Sequence, residues 1–179
     1  MIEIIPNWHP IFVHFTLGLL LTSVALFIFG ALMPEGLVGA QATTVACWNL
    51  WIGSIFTIVT VATGLIAYNS VVHDEAAHAA MNIHMRWAIG TMVLFAVAAI
   101  LTWRFHNRMA GTGSLLALIL IAGTGALLIT GWLGAENVYR HGLGVMRLPH
   151  AEGPGYGHTH HVDGHNHTPE ETQTLDNDH

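Results

Sequence analysis

Between Pro10 and Met33 the chain carries no Asp, Glu, Lys or Arg, and an apolar stretch of about 20 residues is what a helix needs to cross the hydrocarbon core of a bilayer. In that medium each backbone N–H and C=O must be satisfied within the protein, so a stretch of this kind folds as a helix. The feature recurs along the chain. From Leu37 to Val72 it is again uncharged, too long for one upright span, which predicts a Gly-rich connection followed by a helix over residues 45 to 70. Arg86 and Arg104 bracket a third apolar segment, read as a helix over residues 82 to 105. Met109 to Ala135 is uncharged as well and continues as a fourth helix over residues 113 to 139. With the first at residues 10 to 33, four helices make an all-α integral membrane bundle over residues 1 to 149.

Composition closes several other routes. Hydrophobic residues make up 53% of the chain and charged ones 9%, against about a quarter charged in a soluble domain. Lysine is absent and the formal charge is −6, so no basic face is available to hold nucleic acid phosphates. Cys47 is the lone cysteine, which removes an intrachain disulfide, a paired-cysteine zinc site and a Cys-x-x-Cys-His haem attachment; a small buried side chain is expected there. The N-terminus has no basic region and its apolar run is too long for a signal-peptide core, so the first helix is expected to remain in the protein.

An even number of spans puts both termini on one side of the membrane, here side A. His9, His14, His73, His78, His84, His141 and the tail fall there, with His106 on side B. Trp8 and Trp87 fit the A interface and Trp48, Trp51 and Trp103 the B interface, while Trp132 is expected in the core. Arginines number three on side A and two on side B, too even to fix orientation by the positive-inside bias. The expectation is a bacterial inner-membrane protein with side A extracytoplasmic, because the short N-terminal segment lacks cations and an acidic, His-rich tail meets metal more readily outside.

Helices associate in lipid where small or weakly polar residues let backbones approach. Steps of three and four give such stripes: His14, Gly18, Thr22 and Ala25 on the first helix; Gly53, Thr57, Thr60, Gly64 and Ala67 on the second; His84, Ala88, Thr91 and Ala98 on the third; Gly123, Thr130, Gly134, Asn137 and His141 on the fourth. Three stripes end in a histidine on side A, which aims His14, His84 and His141 at the bundle interior. No internal repeat with matching motifs is visible, although the first and third helices each place a histidine soon after entering from side A.

Ionisable groups at membrane depth are costly and usually functional, and two chemistries suit these histidines. One is ligation of haem b by His14 and His84 from facing helices, in a slot lined by Gly18, Gly64 and Ala88, with His141 nearby; a six-coordinate iron favours electron transfer. The other is a bare metal site of His9, His14, His84 and His141 for Zn, Cu or Fe. His9 and His14 are five residues apart, about 140° around an ideal helix, so both join only if His9 lies at the helix start before Pro10. His73 and His78, with Asp74 and Glu75 between, lack the His-Glu-x-x-His spacing and read as solvated loop. Glu136 and Arg140, four apart, are expected to form a structural pair. Residues 150 to 179 are Gly-, His-, Thr- and acid-rich and read as a disordered tail. There His158, His160, His161, His165 and His167, with Asp163, could chelate Zn, Ni or Cu.

The motifs His9-Pro10-Ile11-Phe12-Val13-His14-Phe15, His84, and Gly134-Ala135-Glu136-Asn137-Val138-Tyr139-Arg140-His141-Gly142-Leu143-Gly144-Val145 carry a resemblance to domain-of-unknown-function family 2231, small membrane proteins of about four helices. It spans most of residues 8 to 146 and leaves the tail outside. Thr16 stands where such proteins often have proline and Asn137 where an aliphatic residue is usual. The resemblance implies a fold and a histidine-bearing face but no activity, since the family has none that is settled. Some relatives are joined to Rieske iron–sulfur domains, which implies a redox setting.

Three readings follow: a b-type haem electron-transfer module with a redox partner protein, a metal-handling protein with a chelating tail, and a non-catalytic accessory subunit of a membrane complex. A homo-oligomer is compatible with each. The helices hold almost no carboxylate to couple ions for active transport, and no nucleophile with a matched base marks a hydrolase, so a stand-alone enzyme is not expected.

Overall fold

The computed structural model describes residues 7–33, 36–105 and 113–145. They form α1 (His9–Leu32), α2 (Leu37–Ser70), α3 (Glu75–Phe105) and α4 (Gly113–Tyr139), with no strand among the described residues. All four helices are long and apolar enough to cross a membrane. The chain is an integral membrane four-helix bundle, as its uncharged stretches require. The tail, with His158, His160, His161, His165 and His167, and likewise His106, lies outside the described residues.

Two helix starts differ from expectation. α2 begins at Leu37, so the Gly-rich segment is its first turns and not a connection. Gly36 turns the chain at φ 128°, and a Cβ on Gly39 would overlap the Met33 carbonyl. These glycines let α1 and α2 meet closely at their joint. With 34 residues, α2 is about 51 Å long, more than the ~30 Å hydrocarbon core, so it must tilt or project. α3 begins at Glu75, earlier than its apolar run, because Asp74 Oδ1 accepts a 2.8 Å hydrogen bond from the Ala77 N–H and caps the helix.

The interior is small and hydroxylated. Thr16, Ser23, Ser54, Thr57, Thr60, Thr91 and Thr102 are buried beside an apolar cluster of Leu20, Leu50, Phe95, Ala98, Leu116, Leu120 and Leu127. Large aliphatics such as Ile28, Ile55, Leu118 and Ile121 face outward instead, the distribution expected where lipid is the solvent. Trp132 is 74% exposed and belongs to this outer surface, not to the core. Trp51 Nε1–H donates to Thr102 Oγ1 at 3.0 Å and ties α2 to α3.

α1 packs chiefly on α2 and α3 on α4; α2 and α3 join these hairpins, and α1 and α4 barely meet. The stripes read for α2, α3 and α4 do face neighbouring helices, Gly53, Thr57, Thr60, Thr91, Ala98, Gly123 and Asn137 being fully buried. The stripe read for α1 is on the wrong side. His14, Gly18, Thr22 and Ala25 are exposed, whereas Thr16, Leu20, Ser23 and Gly30 are buried. Hydroxyl pairing accounts for the choice: Thr16 Oγ1 meets Thr60 Oγ1 at 2.8 Å and Ser23 Oγ donates to the Ala46 carbonyl at 2.8 Å. Only this face of α1 gives hydroxyls partners on α2.

Candidate functional site

Turning α1 to bury Thr16 also turns in His9, seven residues earlier and thus two helical turns along the same face. Pro10 occupies the first turn of α1, and the His9 backbone N–H donates to Asn7 Oδ1 at 3.0 Å. The ring then lies against α2. Its Nδ1 donates to the Thr60 carbonyl at 2.9 Å, which leaves Nε2 as the bare nitrogen of a neutral imidazole. Gly64 makes the space: a Cβ there would sit 3.0 Å from His9 Cε1 and 3.1 Å from Nδ1.

The second hairpin repeats this arrangement. His84 lies seven residues before Thr91, as His9 does before Thr16. Thr91 Oγ1 meets Thr130 Oγ1 at 3.0 Å, matching the Thr16–Thr60 pair. Gly134 follows Thr130 by four residues, as Gly64 follows Thr60, and its Cβ would stand 3.2 Å from His84 Cε1. One turn deeper, Leu20 fills the space over Gly53 and Phe95 that over Gly123, each glycine seven residues before the paired threonine. Sequence reading found no repeat because the matched residues are few and lie on two helices per copy. Only the interhelical register reveals them.

The two histidines therefore converge from equivalent positions. The His9 and His84 ring centroids are 6.4 Å apart with planes at 86°. His84 Nδ1 is buried and closes no hydrogen bond among the described residues, although the Thr130 backbone carbonyl lies beside the ring. This is the one point where the repeat is imperfect. Neither Nε2 has a hydrogen-bond partner among the described residues. Both rings border a cavity of about 650 Å³ that all four helices line, with Tyr68, Asn137 and Leu143 among its walls.

Of the residues singled out in the sequence, the structure brings together His9, His84 and Gly64. His14 touches the cavity rim but is exposed, its Nδ1 bonded to the Pro10 carbonyl one turn back. Gly18 faces outward, and a Cβ there would meet nothing within 4 Å. His141 does not line the cavity. It lies in the turn after α4, where the Leu143 N–H bonds to the Asn137 carbonyl, the Gly142 N–H to the Val138 carbonyl, and Gly142 takes φ 64°. That turn brings Leu143 and Gly144 to the cavity in place of the histidine. Glu136 and Arg140 form their pair at 2.8 Å near the end of α4.

His73 and His78, read as solvated loop, are joined. His73 Nε2 lies 3.0 Å from His78 Nδ1, and His78 Nε2 lies 3.0 Å from the Tyr68 hydroxyl. Tyr68 and Asn82, ten residues before and four after His78, complete this cluster and were missed. A tyrosine and an asparagine near the ends of apolar helices were the available signal.

Chemically, the cavity offers two imidazole nitrogens in apolar surroundings. No group of three His, Cys, Asp or Glu side chains among the described residues is arranged to hold a metal ion. Zinc takes three or four protein ligands. No curated protein and no solved structure matches the chain. Residues 6–147 match the profile of a family described as predicted membrane protein, and the chain accordingly belongs to domain-of-unknown-function family 2231.

Proposed function

We propose that the chain is a b-type haem electron-transfer module in which His9 and His84 would hold the iron. The observation that carries this is the converging pair: two imidazoles from different hairpins, each with Nε2 free of partners among the described residues, and with His9 Nδ1 bonded to the Thr60 carbonyl. A carbonyl on Nδ1 fixes the tautomer and orients the ring, as second-shell partners of ligating histidines do. The 6.4 Å between the His9 and His84 ring centroids would leave room for both imidazoles to reach one metal, whose bonds to histidine nitrogen are about 2 Å.

Two protein nitrogens suit a group that brings its own equatorial ligands better than a bare ion. A volume of about 650 Å³ lies within the range of ligand pockets, roughly 300–1,000 Å³. The sparse contact between α1 and α4 gives a planar ligand a side through which to enter. When bound, haem would supply one-electron chemistry; the protein's part would be to hold it through His9 and His84, keep the site apolar and set ring orientation. Its partner would be a redox protein or membrane complex docking at the histidine end, on the extracytoplasmic side. Reporter fusions at the C-terminus test that side; cytoplasmic reporter activity would reverse it.

The decisive experiment is purification in mild detergent followed by a visible spectrum and metal analysis. A Soret band is expected, lost in His9→Ala and in His84→Ala. A colourless protein with stoichiometric zinc or copper would replace this reading with metal handling, and a protein free of any cofactor that retains a membrane partner would replace it with an accessory role.

A further inference from the structure

Directly beyond Gly64, one turn towards the histidine end of α2, stands Tyr68, and the second hairpin has Val138 at the matching position, four residues after Gly134. An aliphatic side chain is thus enough for packing there. Tyr68 instead lines the cavity while its ring lies against His73 and His78, whose own rings stack at 12° with centroids 5.2 Å apart. Hydrogen bonds run without a break from Asn82 to Tyr68 (3.1 Å), Tyr68 to His78 (3.0 Å), His78 to His73 (3.0 Å) and His73 Nδ1 to the Val71 carbonyl (2.7 Å). His78 is exposed and Tyr68 half-buried, so the chain leads from cavity to surface.

Counting donors shows what such a chain can do. The Val71 carbonyl only accepts, so His73 Nδ1 carries a proton. With both rings neutral, His73 Nε2 must accept from His78 Nδ1–H, His78 Nε2 must accept from the Tyr68 hydroxyl, and Tyr68 Oη can accept from the Asn82 amide. With one more proton, His73 is an imidazolium, each bond between the rings and Tyr68 reverses, and the Tyr68 hydroxyl donates to Asn82 Oδ1. Asn82 serves both states, since its amide presents an acceptor or a donor by rotation. No atom loses a partner in either state, which is what a chain of hydrogen bonds needs if a proton is to pass along it.

We propose that Tyr68, His78 and His73 form a proton path between the cavity and water at the histidine end. A proton from cavity water adds to Tyr68 Oη as the Tyr68 hydroxyl proton passes to His78 Nε2. The His78 Nδ1 proton passes to His73 Nε2, which makes His73 an imidazolium, and the His73 Nδ1 proton leaves to water as that ring turns from the Val71 carbonyl; the two rings then return to their starting tautomers through water, each giving up its Nε2 proton as it regains one on Nδ1. One proton enters, one departs, and Tyr68 and His78 stay neutral. Run backwards, the same steps bring a proton in. Among the described residues the charged groups around the path are few: Asp74, held as the cap of α3, Glu75 and Arg86 on α3, and the Glu136–Arg140 pair on α4. The described parts of α1 and α2 carry none, and the other described titratable groups at this end are His9, His14, His84, Tyr139 and His141. The path needs water beside Tyr68 in the cavity and rests on no cofactor there.

The test uses the full chain in nanodiscs with ¹⁵N-labelled histidine, read by nuclear magnetic resonance. A coupling across the hydrogen bond between His78 Nδ1 and His73 Nε2 is expected, the shared proton being seen from both nitrogens. Tyr68→Phe keeps the ring but deletes the hydroxyl; losing one link of about 1.4 kcal/mol slows exchange of the His9 Nδ1 proton with water about tenfold. His73→Gln, altered in the loop alone, is expected to slow it likewise, and His141→Ala to leave it unchanged. Absence of that coupling, or an exchange rate indifferent to both Tyr68→Phe and His73→Gln, would overturn the proposal.

Discussion

His9 and His84 hold their rings at 86° to each other, each seated over a glycine of the neighbouring helix. Were haem held by this pair as proposed, perpendicular imidazoles would leave the ferric iron orbitals nearly degenerate, and the low-spin electron paramagnetic resonance signal would be of the highly anisotropic, large-g type and not the ordinary rhombic one. His14→Ala should leave both this signal and the Soret band unchanged, while His9→Ala removes them. A rhombic spectrum, or loss of the band in His14→Ala, would mean that the ligand pair differs.

Glycines that cradle the rings should behave differently from those that do not. A Cβ at Gly64 or Gly134 would press on an imidazole at 3.0 or 3.2 Å, whereas at Gly18 it meets nothing within 4 Å. Gly64→Ala and Gly134→Ala are expected to cut cofactor occupancy several-fold or shift the spectrum while the protein still folds. Gly18→Ala should be silent in the spectrum and neutral or stabilising, by up to about 1 kcal/mol from helix propensity. Spectral titration beside a detergent melting curve separates the effects.

At the joint of α1 and α2 the constraint is backbone against backbone. A Cβ on Gly39 would overlap the Met33 carbonyl, and neither group is a flexible side-chain end that can swing aside. Gly39→Ala should therefore destabilise the fold by about 1–3 kcal/mol, the usual range for forcing extra bulk into a packed site. That is a larger loss than either cradle variant, with any cofactor loss secondary to unfolding. A melting temperature equal to that of the parent chain would refute the close approach.

Much of this architecture is legible in the residues. Charge exclusion marks the four spans, and the small-residue stripes of α2, α3 and α4 turn inward as spacing implies. The histidine pair is only half legible. α1 carries small residues on two faces, and size alone ranks His14–Gly18–Thr22 above the face with Leu20. What decides is the reach of Thr16 and Ser23 to partners on α2, an interaction between residues more than twenty apart that no pattern within α1 contains. His141 misled for a similar reason: helical spacing projects it inward, but the chain has already left the helix at Tyr139. His73 and His78 gained their meaning from Tyr68 and Asn82, which only the α2–α3 turn brings near.

The repeated register itself can be tested through its threonines. Thr16–Thr60 and Thr91–Thr130 are interhelical hydroxyl pairs at 2.8 and 3.0 Å, and hydrogen bonds between membrane helices contribute about 0.6 kcal/mol on average and at most about 1.7. Double-mutant cycles with Thr→Val at both members of a pair should give coupling of that size within each hairpin. Across hairpins, Thr16→Val with Thr91→Val should be additive to within about 0.5 kcal/mol, as for sites that share no partner. The pairs also sit two turns below the rings they align, on the helices that supply the carbonyl acceptors, so Thr16→Val should disturb the His9 signal and Thr91→Val that of His84, by comparable amounts. Coupling in one hairpin but not in the other would show that the two halves share a spacing without sharing its physical basis.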